Sequence, residues 1–152
     1  MKKMMTFVVI FAGAYAGMLL LLFLVQRSLL YHPSKSAFDM VELNALGLNL
    51  VTYVTPGGLR LQSLYRKSAK DGRTILYFHG NAGHAGHRAQ KVRPYLDAGY
   101  GVLLAGYRGY GPNRGKVTEK GLYEDAAVAL NYLKQNKIIS KSIILYGESL
   151  GT

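Results

Sequence analysis

The sequence predicts an α/β protein in which a mostly parallel sheet carries helices on both faces, with one transmembrane helix preceding it. Three short apolar runs, 74–78, 101–105 and 142–146, alternate along the chain with two predicted helices. Parallel strands that are joined by helical crossovers produce this order. Each run is continuously apolar rather than alternating, which is typical of a strand buried on both faces.

The N-terminal stretch Met4–Val25 has 22 residues without a charge. At about 1.5 Å per helical residue it spans roughly 33 Å, the thickness of the hydrocarbon core of a bilayer. Residues 14–16, Ala-Tyr-Ala, resemble a signal-peptide cleavage site. Cleavage there would leave an apolar stretch at the new N-terminus, so we expect residues 1–25 to remain as a single-pass membrane anchor.

The charge balance is strongly basic, with 19 Lys and Arg residues against 8 Asp and Glu, and there is no Cys. The basic residues are dispersed, without the aromatic and basic interleaving of RNA-binding proteins, so we expect no nucleic-acid partner. Beside an anchor, membrane lipid with anionic headgroups is the more specific expectation, and a solvated basic surface is the alternative. Lys2 and Lys3 favour a cytoplasmic N-terminus.

After the anchor, residues 26–40 contain Pro33 and several Ser and Lys residues, and they are predicted to form a tether. The domain would then occupy residues 41–152. Its first feature is a hairpin over 51–65, because β-branched and alternating segments flank the turn residues 56–58, Pro-Gly-Gly.

Two helices are predicted between the apolar runs. One covers 85–97, although Pro94 would end or kink it. The other covers 119–135, with Thr118 as its N-cap. Its apolar face is predicted from residues at helical spacing: Leu122, Ala126, Leu130 and Leu133.

A glycine-rich loop directly follows each apolar run: HGNAG at 79–83, GYRGYG at 106–111 and GESLG at 147–151. Carboxyl ends of parallel strands share one edge of the sheet, so we expect the three loops to lie together. In a Gly-x-Ser-x-Gly pattern the Ser occupies a strained turn between strand and helix. The pattern alone is weak, but its place after a strand predicts Ser149 as a catalytic nucleophile.

The other loops bear on the same chemistry. An oxyanion hole needs two backbone N–H groups, which we expect from Leu150 and from Asn81 or, alternatively, Ala82. His79 is expected to have a structural role. Neither Cys nor a matching acidic ligand accompanies the His residues, so no metal site is predicted.

Taken together, these motifs resemble the α/β-hydrolase superfamily, specifically its membrane-anchored serine hydrolases. The matching segments are YFHGNAG (77–83), YRGYG (107–111), GLYEDAAVALNYL (121–133) and LYGESLG (145–151). The resemblance implies an esterase, lipase or thioesterase, in which Ser149 attacks an acyl carbonyl and forms an acyl-enzyme. It implies no metal or organic cofactor. Gly106 and Asn113 depart from other branches, which carry an acidic or amide residue and a Ser there.

In this fold the acid and His of the triad follow the nucleophile along the chain. Only three residues follow Ser149, and all four His residues precede it. We therefore expect an N-terminal fragment that ends just after the nucleophile elbow. Residues 41–152 would be the N-terminal half of an α/β-hydrolase sheet with its C-terminal half missing.

Such a chain is expected to be inactive or nearly so, because a Ser hydroxyl without a base is a poor nucleophile. A separate C-terminal chain would complete it. His84 or His87 as a substitute base is an unusual alternative. Another alternative is a non-catalytic, membrane-anchored binding protein with a degenerate hydrolase fold.

Overall fold

The computed structural model describes residues 2–69 and 72–152. The chain divides into two units, Met1–His32 and Pro33–Thr152. The first unit contains helix α1, Lys2–Leu30, whose 29 residues extend about 44 Å. By length and composition α1 is able to span a membrane. The predicted apolar N-terminal helix is thus confirmed, and it continues five residues beyond Val25.

Beyond α1, the chain contains both strands and helices, and β2 to β5 follow one another without a helix between them. In order, these are β1 (His32–Pro33), α2 (Met40–Ala45), β2 (Asn49–Val54), β3 (Arg60–Arg66), β4 (Thr74–Phe78), β5 (Ala82–Gly83), α3 (Ala89–Asp97), β6 (Gly101–Ala105), α4 (Glu119–Gln135) and β7 (Ile143–Gly147). Short 3-10 helices occupy 85–88, 140–142 and 149–151.

Five of these strands form one sheet in the order β2-β3-β6-β4-β7. Strands β2 and β3 are the predicted hairpin, and β3 also pairs antiparallel with β6. The other pairs, β6 with β4 and β4 with β7, are parallel. The three apolar runs therefore form the predicted parallel part of the sheet, with β4 at its centre.

Helices cover both faces of the sheet, as the sequence predicts. Side chains alternate along β4, so that Ile75 and Tyr77 join one apolar cluster while Leu76 joins the other. The first cluster contains Val92 of α3, and the second contains Leu133 of α4. Burial of β4 from both sides explains why its sequence is apolar without alternation.

Helix α4 has the predicted bounds and the predicted cap, because the Thr118 hydroxyl accepts a hydrogen bond from the Gly121 N–H at 3.0 Å. The predicted buried face is wrong by one position. Of the predicted residues only Leu133 is fully buried, and the buried stripe is Gly121, Asp125, Ala129 and Leu133. The cause is Arg108, which lies against Gly121 and draws the carboxylate of Asp125 inward.

Helix α3 ends at Asp97 as predicted, but it departs from the prediction at its N-terminal end and at Pro94. Residues 85–88 form a 3-10 helix, and the α-helical part begins at Ala89. Pro94 does not end the helix, which continues to Asp97. Pro94 has no N–H to donate to the carbonyl of Gln90, one helical turn earlier. Both residues lie on the exposed side of the helix, so the Gln90 carbonyl can bond to water instead.

The burial of Leu76 and the exposure of Leu145 predict that their replacement by Ala changes the stability of the protein by very different amounts. Leu76 on β4 is fully buried, whereas Leu145 on β7 is 66% exposed. We expect Leu76→Ala to lower the free energy of unfolding by about 2–5 kcal/mol. The matched control Leu145→Ala should change it by about 0.5 kcal/mol or less. Denaturant unfolding of the full chain in detergent, followed by Tyr near-UV circular dichroism, measures both, and equal losses would contradict the assigned core.

Candidate active site

The three glycine-rich loops lie together at one edge of the sheet, as predicted. Phe78 at the end of β4 is in register with Ala105 of β6 and with Gly147 of β7, so the three strands end level. The Glu148 N–H donates to the Phe78 carbonyl at 3.0 Å, which attaches the third loop to the start of the first. The second loop reaches the first through the Tyr110 hydroxyl, which donates to the Asn81 carbonyl at 3.1 Å.

Ser149 occupies a strained turn directly after β7. Its φ angle is 52°, in the left-handed region that a residue with a side chain rarely adopts. The chain then begins a 3-10 turn, in which the Gly151 N–H donates to the Glu148 carbonyl at 3.0 Å. The backbone therefore has the strand-to-helix turn that the Gly-x-Ser-x-Gly pattern predicts.

The two Gly residues of this pattern are required by close backbone contacts. A Cβ atom at Gly147 would lie 2.6 Å from the carbonyl oxygen of Gly151. One at Gly151 would lie 2.3 Å from the carbonyl oxygen of Phe78. Backbone atoms cannot turn aside as a flexible side chain can, so any larger residue would force the turn open.

The sequence-predicted site residues have different surroundings. Ser149 is exposed, and within the described ranges 2–69 and 72–152 its hydroxyl makes no hydrogen bond. The Leu150 N–H likewise has no hydrogen-bond partner in that part of the chain. Asn81 is half-buried in the first loop. The structure thus brings the loops of Ser149, Leu150 and Asn81 to one edge.

The buried His residues of the site region have partners other than Ser149. His79 packs against the rings of Tyr107 and Tyr110, and its Nδ1 donates to the Gly80 carbonyl at 2.8 Å. Burial lowers the pKa of His79 to about 4, so the ring is neutral at neutral pH. His84 is also buried, and its Nε2 lies 2.9 Å from the Ser36 hydroxyl.

Two other roles for these His residues were considered from the sequence: His84 or His87 as a base for Ser149, and a metal site. His87 stacks on His84, with 3.7 Å between ring centroids. No hydrogen bond joins either ring to Ser149 among the residues that the structure describes. In the same part of the chain, no three side chains of metal-binding type lie close enough to hold an ion.

A buried ion pair holds the second loop, and sequence reasoning missed it. Arg108 binds Asp125 at 2.7 and 2.9 Å through its side chain, and its N–H donates to the same carboxylate at 2.8 Å. Glu124 accepts a further bond from Arg108 at 2.9 Å. The available signal was an Arg in a strand-end loop followed by adjacent acidic residues within the next helix.

Asn113 holds the end of the second loop against β3. Its side-chain amide donates to the Gln62 carbonyl at 3.0 Å, and its carbonyl oxygen accepts from the Gln62 N–H at 2.7 Å. Gly106 lies beneath this contact, where a Cβ atom would be 2.6 Å from the Asn113 amide nitrogen. A Cβ atom at Gly106 would also lie 2.1 Å from the Gln62 carbonyl oxygen, so Gly106 makes room for the contact between Asn113 and Gln62.

Glu148, the variable position of the Gly-x-Ser-x-Gly pattern, is the other feature that sequence reasoning missed. Its carboxylate accepts hydrogen bonds from the Tyr77 hydroxyl at 2.5 Å and from Arg88 at 3.0 Å, and Lys91 lies 3.3 Å away. Partial burial opposes ionisation, but these donors and cations hold the pKa of Glu148 at about 2. The carboxylate is therefore fully ionised at neutral pH.

Comparisons with known proteins agree with this architecture. No family model matches the chain. The protein bem46 of Schizosaccharomyces pombe is 43% identical over 122 residues, which cover 78% of this chain and 40% of that protein. The lysophosphatidylserine lipase ABHD12 of Danio rerio is 35% identical over 116 residues, covering 70% of this chain and 30% of the lipase.

A solved structure, an alpha-beta hydrolase from Vibrio vulnificus, shares the fold. It is 31% identical and superposes with a TM-score of 0.64 over 77% of this chain and 43% of the hydrolase. The predicted fold class is thus confirmed. The chain spans less than half the length of each of these three proteins.

The ion pair that holds the second loop predicts unequal effects for neighbouring acids. Asp125→Ala removes the buried partner of Arg108, and we expect it to lower the free energy of unfolding by about 2–4 kcal/mol. Glu124→Ala is the matched control, because Glu124 is 39% exposed and contacts the same guanidinium. Glu124→Ala should lower the free energy of unfolding by less than about 1 kcal/mol. Thermal unfolding of both variants measures this, and similar losses would show that Asp125 does not anchor the loop.

Proposed function

The chain belongs to the α/β-hydrolase superfamily, and from this we propose that Ser149 is the nucleophile of an esterase-like or lipase-like site. The substrate is a carboxylic ester or a thioester. The observation that carries the proposal is the left-handed backbone of Ser149 immediately after β7, between two Gly positions that admit no Cβ atom. A turn of this kind presents a serine hydroxyl at the edge of the sheet for attack on a substrate.

The proposed reaction is acyl transfer through a covalent intermediate. Ser149 Oγ forms a bond to the acyl carbon, and the electron pair of the carbonyl moves to its oxygen. When this oxyanion collapses, the bond to the alcohol or thiol breaks, and the leaving group takes a proton. Water then attacks the acyl-enzyme, which releases the acid and restores the Ser149 hydroxyl.

The oxyanion is stabilised by the backbone N–H groups of Leu150 and of Asn81 or Ala82. Two observations support this assignment. The Leu150 N–H has no competing partner within the described residues. The loop that contains Asn81 leaves the strand next to β7, and Arg88 connects the two loops by donating to the Ala82 carbonyl at 3.1 Å and to the Glu148 carboxylate at 3.0 Å.

We further propose that the 152-residue chain alone reacts slowly. Attack requires a base that takes the Ser149 proton, and no side chain in the described ranges hydrogen-bonds to that hydroxyl. A second polypeptide that supplies a His and an acid would complete the site. A non-catalytic binding role is the competing proposal, and it is favoured by the observation that no described side chain is hydrogen-bonded to the Ser149 hydroxyl.

Helix α1 supports a membrane location for the protein, because its length and composition allow it to cross a bilayer. We propose that it is a single-pass anchor with a cytoplasmic N-terminus, on the basis of Lys2 and Lys3. Membrane lipid would then surround helix α1. Lysophospholipid esters are the first substrates to test, because the related Danio rerio protein is named for that activity.

A fluorophosphonate probe, which reacts with activated Ser residues, tests the nucleophile. We expect weak labelling of the chain alone. Fusing it to the part of Schizosaccharomyces pombe bem46 that follows the matched residues should supply a base and raise the labelling rate at least about 100-fold. Ser149→Ala should abolish that labelling, whereas the exposed control Ser140→Ala should not.

Each result has a distinct meaning. Labelling of the fusion that survives Ser149→Ala would contradict the nucleophile. Strong labelling of the unfused chain that is lost in Ser149→Ala would contradict only the proposed inactivity. A folded fusion that is never labelled would favour the non-catalytic role.

A further inference from the structure

Arg88, the residue immediately before α3, contacts two of the three site loops with one guanidinium group. Its Nη2 donates to the carbonyl of Ala82 in the first loop at 3.1 Å. Its Nε donates to the carboxylate of Glu148 in the third loop at 3.0 Å. The Arg88 side chain is only 16% exposed and that of Glu148 is 26% exposed, so the pair is largely shielded from solvent.

The contacts around Arg88 hold the backbone on both sides of the proposed oxyanion hole. In the first loop, successive carbonyls are engaged, that of Asn81 by the Tyr110 hydroxyl and that of Ala82 by Arg88. In the third loop, Glu148 immediately precedes Ser149. Its N–H is bonded to β4, and its carboxylate is bonded to Arg88.

We infer that Arg88 and Glu148 are positioning residues that set the separation between the two oxyanion-hole N–H groups. The inference rests on the proposed function, in which Leu150 and Asn81 supply those groups. Arg88 touches neither of these N–H groups and acts through the backbone of their loops. An oxyanion hole requires donors held at about 2.7–3.1 Å from the developing charge, so a change in the spacing of the two loops would weaken it.

The geometry explains why the residue is Arg rather than Lys. A guanidinium group has five N–H donors in a rigid plane and can bind two acceptors at a fixed separation. A Lys ammonium is a point charge on a flexible stem and does not hold that separation. Lys91 lies 3.3 Å from the same carboxylate but is half exposed, so it contributes charge rather than geometry.

Hydrogen exchange of the full chain in detergent micelles tests the coupling without requiring catalysis. In Arg88→Met, we expect amide exchange to accelerate about tenfold or more in both 79–83 and 147–151. Arg88→Lys should restore protection in one loop at most. The matched control is Arg93→Met on α3, which directly follows Arg88, because Arg93 forms an exposed pair with Asp97, and it should leave both loops unchanged.

Glu148→Gln is the second variant, because it keeps the shape of the side chain and removes the charge that Arg88 binds. It should accelerate exchange in 79–83, although the substitution lies in the other loop. Faster exchange confined to the substituted loop, with unchanged thermal unfolding, would overturn the inference. So would unchanged exchange in both loops of Arg88→Met.

Labelling of the bem46 fusion by the fluorophosphonate probe separates this inference from the proposed function. If Ser149 is the nucleophile and Arg88 positions the hole, Arg88→Met should slow labelling at least about tenfold, and Arg88→Lys should recover only part of the rate. Labelling that requires Ser149 but is insensitive to Arg88→Met would overturn the positioning role and leave the nucleophile in place. If amide exchange accelerates in both loops of Arg88→Met but Ser149 is never labelled, the link between the loops stands and the proposed hydrolase function is rejected.

Discussion

The close approach of the third loop to the end of β4 is the constraint on which the rest of the site depends. The Phe78 carbonyl accepts the Glu148 N–H at 3.0 Å, and the same oxygen lies 2.3 Å from where a Cβ atom of residue 151 would stand. Because the chain must turn within this space, residue 151 is Gly and Ser149 adopts a left-handed backbone. Parallel pairing of β4 with β6 and β7 then brings the other two loops level with this turn.

Charged side chains hold these loops in place from the two helical layers. Arg88 and Glu148 join the first and third loops on the α3 side, and Arg108 and Asp125 fasten the second loop to α4. Both arrangements bind a carboxylate through several donors at once, which offsets the cost of removing the charges from water. Loops rich in Gly have little rigidity of their own, so these contacts supply the order that a preorganised site requires.

Continuous apolar runs and helix caps were enough to predict the central elements of the fold. Strands β4 and β6 have their predicted bounds because burial on both faces demands apolar residues throughout. Strand β7 begins one residue later than predicted, since Ser142 belongs to a 3-10 helix. The prediction of the buried face of α4 was wrong because helical periodicity takes only apolar residues into account. It does not include the contact by which Arg108, in the second loop, draws Asp125 into the interior.

Local motifs located the site loops, and long-range contacts decided what surrounds them. The segment predicted as a tether carries such contacts: the Ser34 N–H donates to Gly83 at 3.0 Å, and its carbonyl accepts from Gly111 at 2.7 Å. Glu148 escaped notice because the pattern leaves its position unspecified, and its partner Arg88 lies 60 residues away in the chain. Pairings over such separations depend on the folded topology, which no short motif encodes.

A crystal structure of the bem46 fusion with a phosphonate bound to Ser149 Oγ would test the central claim most directly. We expect a phosphonyl oxygen about 2.7–3.1 Å from the backbone nitrogens of Leu150 and of Asn81 or Ala82, with Ser149 retaining a positive φ angle. A phosphonyl oxygen that points away from both loops, or a Ser149 backbone relaxed to negative φ, would contradict it.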